Sequence, residues 1–390
     1  MTGTLTDLTV AGKLAARALG RRLRSDIESA PDNEKFIRET QDLLDNAPSN
    51  VVREYTRLTM DGSQAPWVAA DMSLQPGDEV TYFCCGRVYV NNFLDIYVNP
   101  SLQVWCKLGD QGEIFRGTRD SHSFVAGHSG APQFGNYFPN DWADLNGSRV
   151  QDDDVYSSLT GAVEILIVRW STTAREGVKA LMERGDVDGC LQSELDRLQL
   201  GDTTPGGWEY LWHLGPGEIY REQNSTEGKP CIHCHTSADV GILQKSVDIP
   251  LDETSEISWR WCVEQLPGIL REDTVPSHDY LSIAIEFDNG RDITYYWSCA
   301  LPVGTGYDCP LPNWQGKEYH VVVRSGQSNL GQWLQERRNL FDDYQHYMGE
   351  PPARIVKVWL IANSIFQRQP GECNYADIVL HSRGEETRVL

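Results

Sequence analysis

HDYLSIAIEFDNGRDITYYWS, residues 278–298, decides the fold. Leu281, Ile283, Ile285 and Phe287 recur at every second position, so a strand would place them on one face, the buried one. The opposite face would then carry His278, Tyr280, Ser282, Ala284 and Glu286. Asn289-Gly290 suits a tight hairpin, because glycine accepts the positive φ that such turns need. The chain would return through RDITYYWS, with Thr294, Tyr296 and Ser298 on the same outer face as Tyr280. Upstream, EISWRWCV (256–263) repeats the pattern, with Ile257, Trp259, Trp261 and Val263 inward and Ser258, Arg260 and Cys262 outward.

From this hairpin the β texture extends through the C-terminal half in YHVVVRSG, IVKVWLIANS and YADIVLH. It is interrupted by a helix expected over NLGQWLQERRNLFDDYQHYMG (329–349), which stops at Gly349 before a Pro pair. A second β-rich stretch runs from Trp67 to Trp170, with short alternating runs such as DEVTYFCCGRVYV and AVEILIVRW. Helical periodicity appears in AGKLAARALGRRLRSDIE (11–28), in NEKFIRETQDLLDNA (33–47) and between the two β regions over 172–200. The fold class is therefore mainly β, with two tandem β-sandwich domains. The expected boundaries are an N-terminal helical segment (1–60), a lectin-like sandwich (61–171), a helical connector (172–205) and a C-terminal jelly-roll sandwich (206–390).

The 390 residues carry a formal charge of −22, and a phosphate backbone would be repelled by such a surface, so nucleic acid is not an expected partner. No run of about 18 apolar residues is present, which excludes a membrane-spanning helix. The N-terminus lacks the apolar core and cleavage site of a secretory signal, and the protein is read as cytoplasmic. In that compartment the ten cysteines are expected as thiols, metal ligands or catalytic groups rather than disulfides. Oligomeric state is not legible.

PCIHCHTSADVG (230–241) concentrates ligand-type side chains. Cys231, Cys234 and His235 spell the attachment signature of c-type haem. The same two thiols have a spacing that suits zinc or another transition metal, with His233, His235, Cys262 or His278 to complete the site through folding. The third reading is a polar loop of hydrogen-bonded thiols and imidazoles. A fourth has one histidine act as acid or base without a metal.

GILQKSVDIPLDETSEISWRWCVEQLP, followed by the hairpin, VVVRSG and the ERRNLFDDYQHYMG helix, resembles an uncharacterised bacterial family, a domain of unknown function. The resemblance covers roughly 207–382 and implies a jelly-roll sandwich without an activity. APWVAADMSLQPGDEVTYFCCGRVYV through DDDVYSSLTGAVEILIVRW is similar to galactophilic calcium-dependent bacterial lectins. That resemblance would give Asp152, Asp153 and Asp154 a role in holding calcium, although SSLTG stands where the family's adjacent asparagines would be.

These residues frame the expected function. The main reading is a non-redox acid–base enzyme, a hydrolase, lyase or isomerase acting on a small polar or sugar-like molecule, with or without metal assistance. His235, His278, Asp279 and Tyr280 are its expected catalytic groups, since a His beside a Tyr can exchange protons at neutral pH. Arg260, Glu286 and Tyr296 are the expected ligand-binding groups. The alternatives are a non-catalytic carbohydrate-binding protein and a c-type haem protein. No nucleotide-binding loop appears, and GHSGA (127–131) lacks the context of a nucleophile elbow.

Overall fold

A computed structural model describes residues 9–17, 19, 31–64, 67–137, 142–150, 152–225 and 227–390, without the side chains of Asp153 and Val155. The chain splits into two compact units, Ala18–Asp202 and Met1–Arg17 together with Thr203–Leu390. Among the described residues no helix is long and apolar enough to cross a membrane.

The first unit pairs β1 (Val52–Asp61), β3 (Glu79–Asn91), β4 (Ile96–Val98), β6 (Ser121–Val125) and β8 (Thr160–Trp170) in one sheet. A smaller sheet holds β2 (Val68–Ala69), β5 (Val104–Leu108) and β7 (Pro132–Asn136). β8 is buried on both faces, which explains its almost unbroken apolar run. Val163, Ile165 and Ile167 enter the core between the sheets. Leu166, Val168 and Trp170 face the other way and are covered by helices Asn33–Asp45, Ala174–Met182 and Cys190–Leu200. The helices expected as a connector are thus a layer of this unit.

Two other expectations change here. The N-terminal helical segment does not run to residue 60, because Val52–Asp61 pairs antiparallel with β8. Its Val, Tyr and Thr content favours a strand, and the β8 edge supplies its hydrogen-bond partners. Of the helix expected over 11–28, residues 11–17 are helical, and most of the remainder lies outside the described residues. Around the expected calcium loop, Asp152 precedes the 3₁₀ helix Asp153–Ser158 and Asp154 lies in it, both exposed, and the Asp153 side chain lies outside the described set.

The second unit is a sandwich of two larger sheets. One runs β10 (Tyr220–Asn224), β11 (Pro230–Thr236), β20 (Gly371–Ser382), β13 (Glu256–Gln265), β18 (Leu334–Asn339), with β21 (Glu385–Arg388) beside β20. The other runs β16 (Gly306–Asp308), β17 (Glu318–Ser325), β15 (Asp292–Ser298), β14 (Tyr280–Phe287), β19 (Arg354–Asn363), β12 (Val240–Pro250), β9 (Glu209–Tyr210). The β14–β15 hairpin forms as expected, pairing Ser282 with Tyr296 and Glu286 with Asp292. Gly290 takes φ +73° at its turn. All eight alternating apolar residues of β13 and β14 lie in the core between the sheets. The expected long helix is shorter, Leu340–Met348, capped by Asn339, whose side chain accepts the Asp342 N–H. Leu334–Asn339 instead forms strand β18 along the edge of β13.

Candidate functional site

The cysteine- and histidine-rich segment is strand β11, and its regular pleat separates the side chains that a metal would need together. Ile232 and Cys234 enter the core, so Cys231, His233 and His235 point to the outer face of the six-stranded sheet. Cys231 and Cys234 therefore cannot reach one ion, nor the two vinyl groups of one haem, and both readings of this motif fail on geometry. Asn374 Oδ1 receives the Gln223 side-chain N–H at 2.7 Å and stands 3.0 Å from His233 Nδ1. Burial pushes both thiols above their ordinary range. His235 is exposed on this face. Arg260 shares the face, bound to Glu227 at 3.1 Å and Asp377 at 3.4 Å.

His278, Asp279 and Tyr280 lie at the start of β14, with His278 and Tyr280 on the side of the seven-stranded sheet that faces away from the core. Both sheets therefore stand between His235 and the His278–Tyr280 pair, and the expected catalytic set does not assemble. All three are buried, His278 completely. Asp279 accepts backbone N–H groups from Phe366, at 3.0 Å, and from Gln367, and burial lifts its carboxyl to about 8. It anchors the 364–367 loop. Of the expected ligand-binding groups, Glu286 is bound to Lys357 at 2.9 Å, and Tyr296 accepts the Tyr307 hydroxyl at 2.9 Å.

His278 has neighbours that sequence reasoning missed. Cys309, Glu318 and His320 join it, all buried, with one donor atom from each within 4.8 Å of the others. His278 Nε2 stands 3.5 Å from Cys309 Sγ, and His320 Nε2 stands 3.4 Å from Glu318 Oε1. His278 Nδ1 lies 2.6 Å from the Glu272 carbonyl, an acceptor only, so Nδ1 carries the proton and Nε2 keeps its lone pair. Glu318 Oε1 accepts from Tyr280 at 3.0 Å and Thr294 at 3.1 Å. His320 Nδ1 has no hydrogen-bond partner, and Nε2 has only the 3.4 Å approach of Glu318 Oε1. Tyr307 stacks on the His320 ring at 5.1 Å, and Tyr280 meets it edge-on at 4.9 Å. Burial favours neutral His278, and His320 beside it pushes the same way, to about 3. Burial works against the Glu318 carboxylate, but His320 and His278 outweigh it and keep that group below its ordinary range.

Further along the same outer face, aromatic rings run from the surface down to the sheet. Trp212 is 41% exposed and His213 lies beside it at 5.4 Å. Trp314 follows at 6.3 Å from His213, and meets Trp359 of β19 edge-on at 6.1 Å. Next to Trp359 in register are Gln244 of β12 and Ala284 of β14. Three buried polar atoms here have no partner: Trp359 Nε1, Gln244 Oε1 and Ser282 Oγ. Unpaired buried polar atoms are costly, so three on adjacent strands need a physical account.

The first unit holds a separate polar cleft of about 740 Å³, lined by Asp32, Lys35, Arg87, Asn99, Asp120 and Asp188 among others. Lys35 is already bound to Asp188 at 2.9 Å. The half-buried thiols of Cys85 and Cys190 border it.

Among solved structures, the chain is similar to the EclA N-terminal domain, a PllA-like lectin, at 14% identity over 31% of this chain and 99% of that one, with a TM-score of 0.22. It is similar to the xyloglucanase domain of NopAA, a type three effector from Sinorhizobium fredii in complex with cellobiose. That match has 10% identity, 47% and 96% coverage and a TM-score of 0.30. TmCBM61 in complex with β-1,4-galactotriose matches at 9% identity, 48% and 94% coverage and a TM-score of 0.24. At such scores the likenesses carry nothing about ligands. No curated protein matches the chain in sequence. In the second unit, residues 216–379 match the family described as a protein of unknown function (DUF3047), as the jelly-roll resemblance led one to expect.

Proposed function

We propose that this is a non-catalytic carbohydrate-binding protein, and that the second unit takes a sugar against Trp212 and Trp314, above the outer face of its seven-stranded sheet. One observation carries the reading: a row of rings opens to the surface at Trp212, 41% exposed, and continues through His213 and half-buried Trp314 to Trp359. A sugar presents apolar C–H faces that stack on indole, so it matches such a surface. Sealed His278, Asp279 and Tyr280 weigh against the acid–base reading, since a proton-transfer group must come within hydrogen-bond reach of its substrate.

A glycan array probed with the labelled full chain tests this, followed by calorimetric titration of the best oligosaccharide. Binding without turnover is the expected result, with affinity falling about tenfold or more in Trp314→Ala, the loss typical of a central aromatic anchor. A wild-type chain that hydrolyses the bound glycan would restore the enzyme reading. Unchanged affinity in Trp314→Ala would remove this face from consideration.

A further inference from the structure

We propose that His278, Cys309, Glu318 and His320 form a closed site for one divalent transition metal of the zinc class. The set is chemically apt: two imidazoles, one thiolate and one carboxylate are all zinc ligands, and Cys309 and Glu318 together balance the charge of a dication. The geometry is apt as well. Ligand atoms at about 2.0–2.3 Å from a tetrahedral ion stand roughly 3.3–3.8 Å from one another. The His278–Cys309 and His320–Glu318 pairs, at 3.5 and 3.4 Å, already lie in that range.

The orphaned ring of His320 points the same way. A buried imidazole with a bare Nδ1 and with Nε2 short of hydrogen-bond geometry to Glu318 is costly, and a metal bond would satisfy one of these nitrogens. His278 has the outer-shell arrangement usual for a metal-bound histidine, in which one ring N–H is given to a carbonyl and the other nitrogen is left as ligand. On metal binding the Cys309 Sγ–H bond breaks, its proton passes to solvent and a metal–sulfur bond forms.

Four protein ligands with none exposed leave no open coordination position, so the role is structural rather than catalytic. His278 follows the 3₁₀ turn Val275–Ser277, Cys309 follows β16, and Glu318 and His320 lie on β17. One ion would tie the 272–279 loop to the β16–β17 edge of the sheet.

The test is metal analysis of the full chain, purified without a metal-affinity tag and then dialysed against zinc. About one zinc per chain is expected in the wild type and in Cys231→Ser, against less than about a tenth in His320→Ala and Cys309→Ser. Cobalt substitution of Cys231→Ser keeps the question decidable if the other variants do not fold. An intense tetrahedral spectrum with a thiolate charge-transfer band supports the site. A weak spectrum without that band overturns it, as does a metal-free wild type after dialysis, or zinc lost from Cys231→Ser but kept in Cys309→Ser.

Discussion

His122 in β6 gives a pH test of the first unit. Its ring packs among Tyr82, Phe115 and Phe124, at 5.7, 6.0 and 6.5 Å between centroids, and its Nδ1 has no partner. Burial lowers its pKa from 6.5 to about 4, helped by Arg197 and opposed by Glu194. The folded state therefore holds the neutral ring while the unfolded chain takes up a proton. The stability this represents, about 3 kcal/mol, is complete above pH 6.5 and is lost as pH falls toward 4. Glu194, whose carboxylate is held low mainly by Arg197 against the cost of burial, loses its own contribution only below the ordinary carboxylate range. The perturbation that separates the two is His122→Phe, which keeps an aromatic ring and removes the titration. Urea titrations at pH 7 and pH 4.5, read by peptide-resolved hydrogen exchange over β3 and β6, follow this unit alone. Wild type should lose about 2–3 kcal/mol more than the variant between those pH values. Equal losses would mean that protonation of His122 is accommodated in the folded state, and the burial argument would be wrong.

Gly86 in β3 has φ +128°, and a Cβ there would lie 2.2 Å from the Ala162 carbonyl oxygen of β8. Gly86→Ala should therefore destabilise the first unit by about 3 kcal/mol or more, measured by the same urea titration, because neither strand can move without breaking their ladder. Cys85 and Cys190 border the polar cleft, yet burial first and then nearby aspartates push both thiols up to about 12. In native protein at pH 8 they should alkylate roughly 10³-fold more slowly than in urea, since thiolate fraction sets the rate. Mass-spectrometric counting of iodoacetamide adducts checks this, and rapid native labelling of either would contradict it.

The sequence made one kind of information legible and withheld another. Period-two alternation sorted Leu281, Ile283, Ile285 and Phe287 from Tyr280, Ser282 and Glu286 correctly, because inward and outward positions follow from the pleat alone. The same rule, applied to β11, would have shown that Cys231 and Cys234 face opposite ways. Their spacing is that of a ligand pair only in a turn, and a strand forbids it. Leu334–Asn339 fits a helical pattern on its own, and only its pairing with β13, which is not local, makes it a strand.

The buried quartet marks the limit in the other direction. Glu318 and His320 stand two apart in a strand, so their shared face could be read from EYHVVV. What brings that face to His278 is the parallel pairing of β15 with β17, which sets Asp292 opposite Glu318 and Thr294 opposite His320. Parallel neighbours need a long crossover, here the 299–317 segment, and no hairpin signal specifies their register. Cys309 lies in that crossover, just after β16 pairs Tyr307 with His320. The alternation of one strand thus selects which side chains leave the core, whereas the order of strands in the sheet selects which of them meet. Only the first is written in local sequence, and that is why the histidine was found and its three partners were not.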